Sequence, residues 1–445
     1  MKKRTSKILK RIAILIVALG LIYAIALSAS SAKLRQAYAE LKKDGRPMEP
    51  ADVIPPEVPD ANNAALLYES AALLLKAQPA PDENLLEYLG DISDKFIKES
   101  LESDKLDEFK QLIGQDVVTQ ALSIVAQGTQ RDSCRYKLNY YDGLNTLLPH
   151  LSDLKNINRI LCAKVYLEAK TGNPDTAWDL LLTQLKFTDA LLIEPVMISQ
   201  VVRTRMISLS CDIIKKLCEI APPNVQQSDN IQSLLKDFDD IRPLIHSLDA
   251  ERLLIGEWVF NLSKDEMYKT NLQYGDEDTG LLHKLIIFGI TFKPLLLADH
   301  AAYLRFMHDG ARFLERELPH TPELIDIMEN GIQKKRYLIA RMLSVSINRI
   351  KQIHREMIVK LRIARAGLPL LQYKQANNAF PTTLEALKLP NINDPYTDGP
   401  LLYKTEGEGF VLYSAGPDKK DNDGSPKQEK QEEDWDIVWR FSGKS

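Results

Sequence analysis

The chain has 445 residues, and its hydrophobic content of 44% and charged content of 27% are those of an ordinary globular protein. This length predicts about two to three domains. The formal net charge of −4 and the isoelectric point near 6.1 exclude a general nucleic-acid binder, because such a protein carries a basic face.

The N-terminus, residues 1–32, combines a basic flank with an apolar run. Residues 1–11 contain six lysines and arginines and no acidic residue, and residues 12–29 are eighteen residues without a charge. As a helix, the apolar run is about 27 Å long, close to the roughly 30 Å hydrocarbon core of a bilayer. Because positively charged flanks stay in the cytoplasm, the rest of the chain is predicted to be exported.

Two interpretations of this N-terminal segment remain open. It is either a permanent single-pass anchor or a cleaved signal peptide, since "LSASSA" offers small residues for cleavage. The uncharged run is longer than the roughly 7–15 residues of an ordinary signal peptide core, which favours the anchor. In both interpretations the protein is exported. No cysteine lies near this segment, so a bacterial lipid anchor is not expected.

Residues 33–60 are predicted to connect the anchor to the folded part of the chain. Residues 33–43 continue the helix with polar side chains. Residues 44–60, "DGRPMEPADVIPPEVPD", contain five prolines, which remove backbone donors and favour an extended chain. We expect a stalk that holds the rest of the protein off the membrane.

Residues 61–344 are predicted to form a helical body, because apolar residues recur there at spacings of three and four. Within it, residues 161–195 resemble a tetratricopeptide repeat. The residues near the positions that this repeat uses to nest two helices are Tyr166, Gly172, Ala177 and Pro195. No second copy follows at the period of the repeat, so the segment is either an ordinary helical hairpin or part of a peptide-binding groove.

One further apolar segment, residues 281–298, is interrupted by Lys284 and Lys293. Its longest uncharged run is eight residues, too short to span a bilayer. It is predicted to form a buried pair of helices, with contact at the membrane surface as the alternative.

The four cysteines are expected to be free and buried. Cys211 and Cys218 are seven residues apart, so on one helix their Cα atoms would be about 10 Å apart, beyond the roughly 7 Å limit for a disulfide. A disulfide between Cys134 and Cys162 remains open. The sequence contains no C-x-x-C motif of the kind used in zinc binding or redox chemistry.

A long amphipathic helix is predicted over residues 344–367. Its apolar stripe consists of Ile350, Ile353, Met357, Leu361 and Ala364. The basic face opposite is expected to be solvated or to contact an anionic partner. Gly367 and Pro369 are expected to kink or interrupt the helix.

The C-terminal domain, residues 345–445, is predicted to end in a small α+β region. "FPTTLEAL" indicates a short helix that opens with a capping box of Thr382 and Glu385. "DPYTDGP" is typical of a turn, "LLYKTEGEGFVLYSAG" of a hairpin, and "DIVWRF" of a last strand.

This region contains four motifs: "FPTTLEAL", "DPYTDGPLLY", "FVLYSAGPD" and "DWDI". Their order and spacing resemble those in the C-terminal part of the major pseudopilin of type II secretion. The resemblance covers residues 361–440, less than a fifth of the chain. The resemblance implies a long helix against a small antiparallel sheet, with a final loop that binds calcium. It also implies the bacterial inner membrane as the location, with most of the chain outside the cytoplasm.

Carried over to this chain, the calcium ligands of that family are Asp418, Asp434 and Asp436, with backbone carbonyls near Ala415 and just before Asp434. The composition of the loop agrees, because residues 418–436 contain eight acids and four lysines, and calcium binds hard oxygen ligands. Asp421 and Asp423 offer competing ligands. The alternative is a solvated acidic loop without a metal ion.

No catalytic motif of the H-E-x-x-H, G-x-S-x-G or P-loop type occurs, and the seven histidines are scattered. The chain also lacks the pseudopilin leader, so assembly into a pseudopilus is not expected.

The predicted fold is mainly α, with a transmembrane helix, a helical body and a pseudopilin-like α+β domain. The predicted function is a non-catalytic scaffold or binding protein of the envelope, linked to secretion, without a small-molecule substrate. The alternatives are a helical-repeat adaptor for a protein partner and an envelope hydrolase.

Overall fold

The computed structural model describes residues 2–81, 83–263, 265–266, 292–315, 330–333, 337–426 and 435–443. The chain is mainly helical, with 68% of it in helix, and a small three-stranded antiparallel sheet lies near the C-terminus. The mainly α fold class is therefore confirmed, while the relation to pseudopilins stays a prediction.

The helices follow one another along the chain and precede the sheet. Their bounds are α1 (Lys2–Lys43), α2 (Ala65–Lys76), α3 (Leu85–Ile97), α4 (Ser103–Ile113), α5 (Asp116–Gly128), α6 (His150–Lys170), α7 (Pro174–Phe187), α8 (Met197–Ile220), α9 (Val225–Leu235), α10 (Arg242–Ala250), α11 (Glu257–Phe260), α12 (Lys293–Glu315), α13 (Leu338–Leu343) and α14 (Ile347–Asn377). The strands are β1 (Leu402–Glu406), β2 (Gly409–Ser414) and β3 (Ile437–Phe441).

The chain divides into two compact units, each built from several stretches of sequence. Unit 1 comprises Met1–Ile54, Asn139–Thr146 and Leu244–Asn348, and unit 2 comprises Pro55–Leu138, Leu147–Pro243 and Arg349–Ser445. The predicted helical body therefore contributes to both units. The predicted C-terminal domain lies almost entirely in unit 2.

In unit 1, helix α1 is continuous but passes through two environments. Its apolar part is exposed, with Ile14 and Ile25 each 68% accessible, and it is long and apolar enough to cross a membrane. Beyond that part, Ala37 and Leu41 are buried, because α1 packs along α12 there. The predicted polar continuation of the helix through Lys43 is present.

The proline-rich segment was predicted to be an extended stalk, but its first part packs within unit 1. Val53 is 1% exposed, and its carbonyl oxygen accepts a hydrogen bond from His246 Nε2 at 3.1 Å. Arg46 forms an ion pair with Asp249. A 3-10 turn begins at Pro50 and ends at Asp52, and Val53 and Arg46 have partners within unit 1, which proline content alone does not reveal.

In unit 2, helix α6 lies at the centre of the helical packing, in contact with α3, α7 and α8. The segment predicted as a helical hairpin, 161–195, consists of the end of α6 and the whole of α7. Gly172 adopts a φ of +87° in the turn between them, a conformation that favours glycine. The hairpin is therefore present, and its likeness to a tetratricopeptide repeat stays a prediction.

The four cysteines are free and buried, as expected. Cys211 and Cys218 lie on the uninterrupted helix α8, where their separation rules out a disulfide. Cys162 on α6 is fully buried. Burial raises the pKa of the Cys211 thiol to about 12, so this group remains protonated at neutral pH.

The C-terminal sheet has the order β1-β2-β3 with antiparallel pairing, so the predicted hairpin, last strand and small antiparallel sheet are present. Strand β2 is buried along its whole length, and Trp439 of β3 packs on α14. A Cβ atom on Gly367 of α14 would lie 1.9 Å from Cζ3 of Trp439, so only glycine fits there. One continuous apolar core joins the sheet, α14 and the helices of unit 2.

The predicted capping box of Thr382 and Glu385 is wrong: the short helix is a single 3-10 turn, Leu384–Leu387, and its N-cap is Thr383. Of the predicted kink or interruption at Gly367 and Pro369, the interruption does not occur, because α14 continues to Asn377. Proline at 369 cannot donate to the Arg365 carbonyl, but Gln232 Nε2 donates to that oxygen at 2.7 Å and replaces the missing bond.

Candidate functional site

The predicted acidic loop begins at the end of β2 and returns at the start of β3. Ala415 is buried, Asp418 is half-buried and Asp436 is 1% exposed. Asp434, the third predicted carboxylate ligand, lies outside the described residues, as do residues 427–433. The structure therefore describes three of the four predicted positions.

Asn422 joins the two described aspartates. Its side-chain Nδ2 donates to Asp418 Oδ2 at 3.1 Å, and its backbone N–H donates to Asp436 Oδ1 at 3.4 Å. The other oxygen of Asp436 accepts from the Gly424 N–H at 2.8 Å. The predicted ligands Asp418 and Asp436 thus both bond to Asn422.

The two ends of the loop also meet near Ala415. Gly416 adopts a φ of +67°, and a Cβ atom there would lie 2.2 Å from the carbonyl oxygen of Trp435. The Trp435 carbonyl oxygen, at the second end of the loop, therefore lies beside Gly416 at the first end. Among the described residues, no group of three or more histidine, cysteine, aspartate or glutamate side chains could hold a metal ion.

Asp436 has an unusual electrostatic environment. Burial raises the pKa of its carboxyl, and the backbone N–H donors of Gly424, Asn422 and Ser425 offset only part of this effect. A cation beside this carboxylate would lower its pKa and stabilise its charged form. By contrast, the competing ligands are engaged elsewhere: Tyr413 donates to Asp421 at 3.0 Å, and Lys404 forms an ion pair with Asp423.

Asp394 is the residue of this region that sequence reasoning missed. It is 1% exposed, and its carboxylate accepts from Tyr396 N–H (2.9 Å), Ser414 Oγ (2.8 Å) and Ala415 N–H (3.1 Å). It therefore fastens the "DPYTDGP" turn to the end of β2, where the acidic loop begins. In the sequence, Asp394 is recognisable only as an aspartate before a proline in a predicted turn. Its contact with the end of β2, twenty residues further along the chain, cannot be predicted from this local pattern.

Unit 1 contains a cluster of polar groups between α1, α11 and α12. The Tyr38 hydroxyl donates to Glu257 Oε1 at 2.8 Å, and His300 Nε2 lies 3.3 Å from Glu257 Oε2. The ring of Phe260 stacks on His300 at 4.3 Å between centroids. Burial raises the pKa of Glu257, but the hydrogen bonds from His300 and Tyr38 and the charges of His300 and Arg252 outweigh it, so the net shift of this pKa is downward.

A π-helical turn, Glu251–Gly256, lies directly before Glu257. Its Arg252 is 1% exposed and donates to the Pro47 carbonyl, while its Nε and Nη1 atoms have no hydrogen-bond partner within the described chain. π-helical turns are frequent at functional sites. The turn thus leads from Arg252, which donates to Pro47 just beyond α1, to Glu257, which accepts from Tyr38 on α1.

In unit 2, His150, Glu194 and Ser199 form a second buried cluster. His150 Nε2 lies 2.9 Å from Glu194 Oε2, and Ser199 Oγ donates to Glu194 Oε1. The ring of Tyr136 stacks on His150 at 4.0 Å. Because histidine and serine both bond to the glutamate and not to each other, the arrangement does not activate the serine as a nucleophile. It links the first turn of α6 to the first turn of α8.

The basic residues of α14 are less solvated than the sequence predicts. Lys351 is 9% exposed, and burial together with Arg355 lowers its pKa to about 8. Burial and the charges of Arg203, Arg355, Arg362 and Lys351 lower the pKa of His354 to about 4. The expectation of a solvated basic face is therefore wrong for these residues, because unit 2 packs around α14.

The chain matches no family model, no curated protein and no solved structure.

Proposed function

We propose that the protein is a single-pass, membrane-anchored scaffold of the bacterial envelope, linked to secretion. In this proposal α1 crosses the inner membrane, its basic flank stays in the cytoplasm, and unit 2 and the rest of unit 1 lie on the outer side. The role is to hold or bind other proteins, and it involves no catalysis by this chain.

The observation that carries this proposal is the continuity of α1. The exposed apolar part and the packed part belong to one helix, so the membrane segment is a direct extension of unit 1. Residues 27–32, which contain the candidate cleavage segment, are helical, with Ser30 buried and Ser28, Ala29 and Ala32 exposed. A peptidase cleaves an extended backbone, so the continuous helix favours a permanent anchor over a signal peptide.

The internal position of the polar clusters supports a role without catalysis. The Glu194 carboxylate is 4% exposed and engaged by two side chains, and the Glu257 carboxylate is held by Tyr38 and His300. Such networks fix the geometry of packed helices when every member has a partner. They are better explained as links between helices than as reactive groups.

The C-terminal region supports the proposed relation to secretion. A long helix, α14, packs against an antiparallel three-stranded sheet, which is the arrangement that the pseudopilin resemblance implies. We include in the proposal a calcium ion held by Asp418, Asp434, Asp436 and the Ala415 carbonyl. That ion would join the two ends of the acidic loop and neutralise its carboxylates.

The orientation can be tested in spheroplasts of a bacterial host that carry the full-length protein with a tag at each end. External protease is expected to remove the C-terminal tag and leave the N-terminal tag protected. Full protection of both tags until lysis would contradict an extracytoplasmic scaffold. An N-terminal tag cleaved from outside would contradict the orientation.

The alternative of a helical-repeat adaptor receives less support from the packing. Helix α6 of the hairpin 161–195 is covered by α3, α7 and α8, so a peptide would have to bind elsewhere on the hairpin. The adaptor predicts a stoichiometric partner that is lost when exposed hairpin residues are changed. Co-purification from membranes would separate it from the scaffold.

A further inference from the structure

The start of α12 approaches the part of α1 that is proposed to lie in the membrane. The ring of Phe292, the residue before α12, contacts the ring of Tyr23 edge-on, with 5.4 Å between centroids. Tyr23 lies six residues before Ala29, the last residue of the apolar run defined above, residues 12–29. At the rise of an α-helix, Tyr23 is about 9 Å inside the end of that run.

The two helices then run side by side in the same direction. His300 of α12 is within 3.5 Å of the Tyr38 hydroxyl, Arg305 pairs with Glu40 at 3.9 Å, and His308 pairs with Asp44 at 2.9 Å. These successive pairs fix the register of α12 on α1. The C-terminal end of α12 therefore points away from the apolar run, and its N-terminal end points toward it.

The N-terminal end of α12 also has a surface that suits lipid. Leu295 is 44% exposed, Leu296 and Leu297 are partly exposed, and Lys293 is exposed. An exposed leucine in the first turn is unfavourable in water but favourable against acyl chains. A lysine at the same level can extend its ammonium group to the lipid head groups while its stem stays in the apolar layer.

We infer that Phe292 and the first turn of α12 insert into the outer leaflet of the bilayer beside α1, with lipid acyl chains covering Leu295. This inference rests on the proposed function, because it requires α1 to span the membrane. It makes unit 1 a two-point attachment: α1 crosses the bilayer and α12 enters it from one side. It also favours the membrane-surface alternative for the part of 281–298 that the structure describes.

Site-directed spin labelling of the full-length protein in liposomes of phosphatidylethanolamine and phosphatidylglycerol tests the inference. Three single variants, Ile25→Cys, Leu295→Cys and Arg312→Cys, would each carry a nitroxide. The native cysteines are at most 8% exposed and are expected to react little with the label. Wild type taken through the same labelling reaction therefore gives the background signal. Accessibility to oxygen, which partitions into lipid, is compared with accessibility to a water-soluble nickel chelate.

Oxygen accessibility is expected to exceed nickel accessibility at positions 25 and 295, and nickel to exceed oxygen at 312 on the same helix. Lipid contact at 25 with water contact at 295 would overturn the inference and leave the anchor intact. Water contact at both 25 and 295 would overturn the anchor and the inference together. Shielding of position 295 from both reagents would also overturn it, since a second copy of the chain would then cover Leu295.

Discussion

The hydroxyl of Tyr38 donates a hydrogen bond to the carboxylate of Glu257, 219 residues further along the chain. Tyr38 lies on α1, nine residues beyond the end of the apolar run 12–29, so this bond connects the proposed membrane anchor to the interior of unit 1. Ala37 and Leu41, on the same stretch of α1, are 2% and 0% exposed. The anchor is thus also a core helix of unit 1.

Removing this bond is expected to destabilise unit 1. Tyr38→Phe would leave Glu257 with one partner fewer in a largely buried position, at a cost of about 1–2 kcal/mol. Glu257→Gln replaces the charged acceptor by a weaker neutral one and is expected to cost less, and the double variant less than the sum, because both changes act on the same bond. Thermal unfolding in detergent measures this, with Tyr141→Phe, an exposed tyrosine of unit 1, as the matched control. Equal stability of Tyr38→Phe and the control would contradict the assignment.

The side chain of Gln232 is expected to matter only because residue 369 is proline. Gln232→Ala would leave the Arg365 carbonyl without its replacement donor and destabilise unit 2 by about 1–2 kcal/mol. In a Pro369→Ala background the backbone N–H of residue 369 returns, so the same Gln232→Ala change is expected to cost less. Melting temperatures of the four proteins in this cycle give the coupling. Additive effects of the two changes would argue against the compensation.

Asp394 is expected to be essential for the C-terminal sheet. Asp394→Ala removes three hydrogen bonds from a buried carboxylate and leaves Ala415 N–H without its acceptor, a loss of roughly 3 kcal/mol. The effect of Asp394→Asn is compared with that of Asp398→Asn. The second variant is the control, since Asp398 belongs to the same turn but is exposed. Near-UV circular dichroism of the tryptophans and hydrogen exchange in β2 report the outcome. Equal protection of β2 in the two asparagine variants would contradict the role given to Asp394.

The calcium proposal predicts a stability that depends on the ion. Millimolar calcium is expected to raise the melting temperature of the full-length protein, and a chelator to reverse the effect. Asp418→Asn is the informative variant, because Asp418 is half-buried and its loss leaves the bonds of Asp436 intact. Asp418→Asn is expected to keep the calcium-free melting temperature and lose the response to calcium. Asp436→Ala is a poorer test, since it also removes the bond from Gly424. No response of the wild type at millimolar calcium would contradict the metal site.

His354 is expected to contribute to acid sensitivity. Its folded pKa of about 4 lies below the ordinary value of 6.5, because of burial and the neighbouring Arg203 and Arg355. Between these pH values the unfolded chain binds the proton and the folded chain does not, so stability falls as pH decreases from about 6.5 to about 4. His354→Gln is expected to retain about 2 kcal/mol more of its stability at pH 4.5, relative to pH 8, than the wild type. Parallel stability-versus-pH curves for the two proteins would contradict this.

The elements of the fold that sequence could predict depend on local signals. The uncharged run before a polar helical extension predicts α1, and two apolar runs around "GEG" predict the β1–β2 hairpin, both of which the structure contains. The spacing of Cys211 and Cys218 on one helix correctly excludes a disulfide. Each of these inferences uses residues within one or two turns or strands.

What the sequence could not predict depends on residues far apart. The interleaving of the two units needs contacts between segments separated by a hundred residues or more, and no local pattern specifies them. Gln232 and Arg365 are 133 residues apart, so the continuation of α14 through Pro369 is a tertiary effect. The proline-rich segment was assigned to a stalk because composition does not show that Val53 has a buried site.

The central claim is that α1 remains attached and holds the protein in the membrane. The most direct measurement is the intact mass of the protein after alkaline carbonate washing of membranes, detergent extraction and purification. The account predicts the full 50.4 kDa chain in the washed membrane fraction. A mass reduced by the residues that precede "AKLRQ", together with release into the carbonate wash, would contradict it.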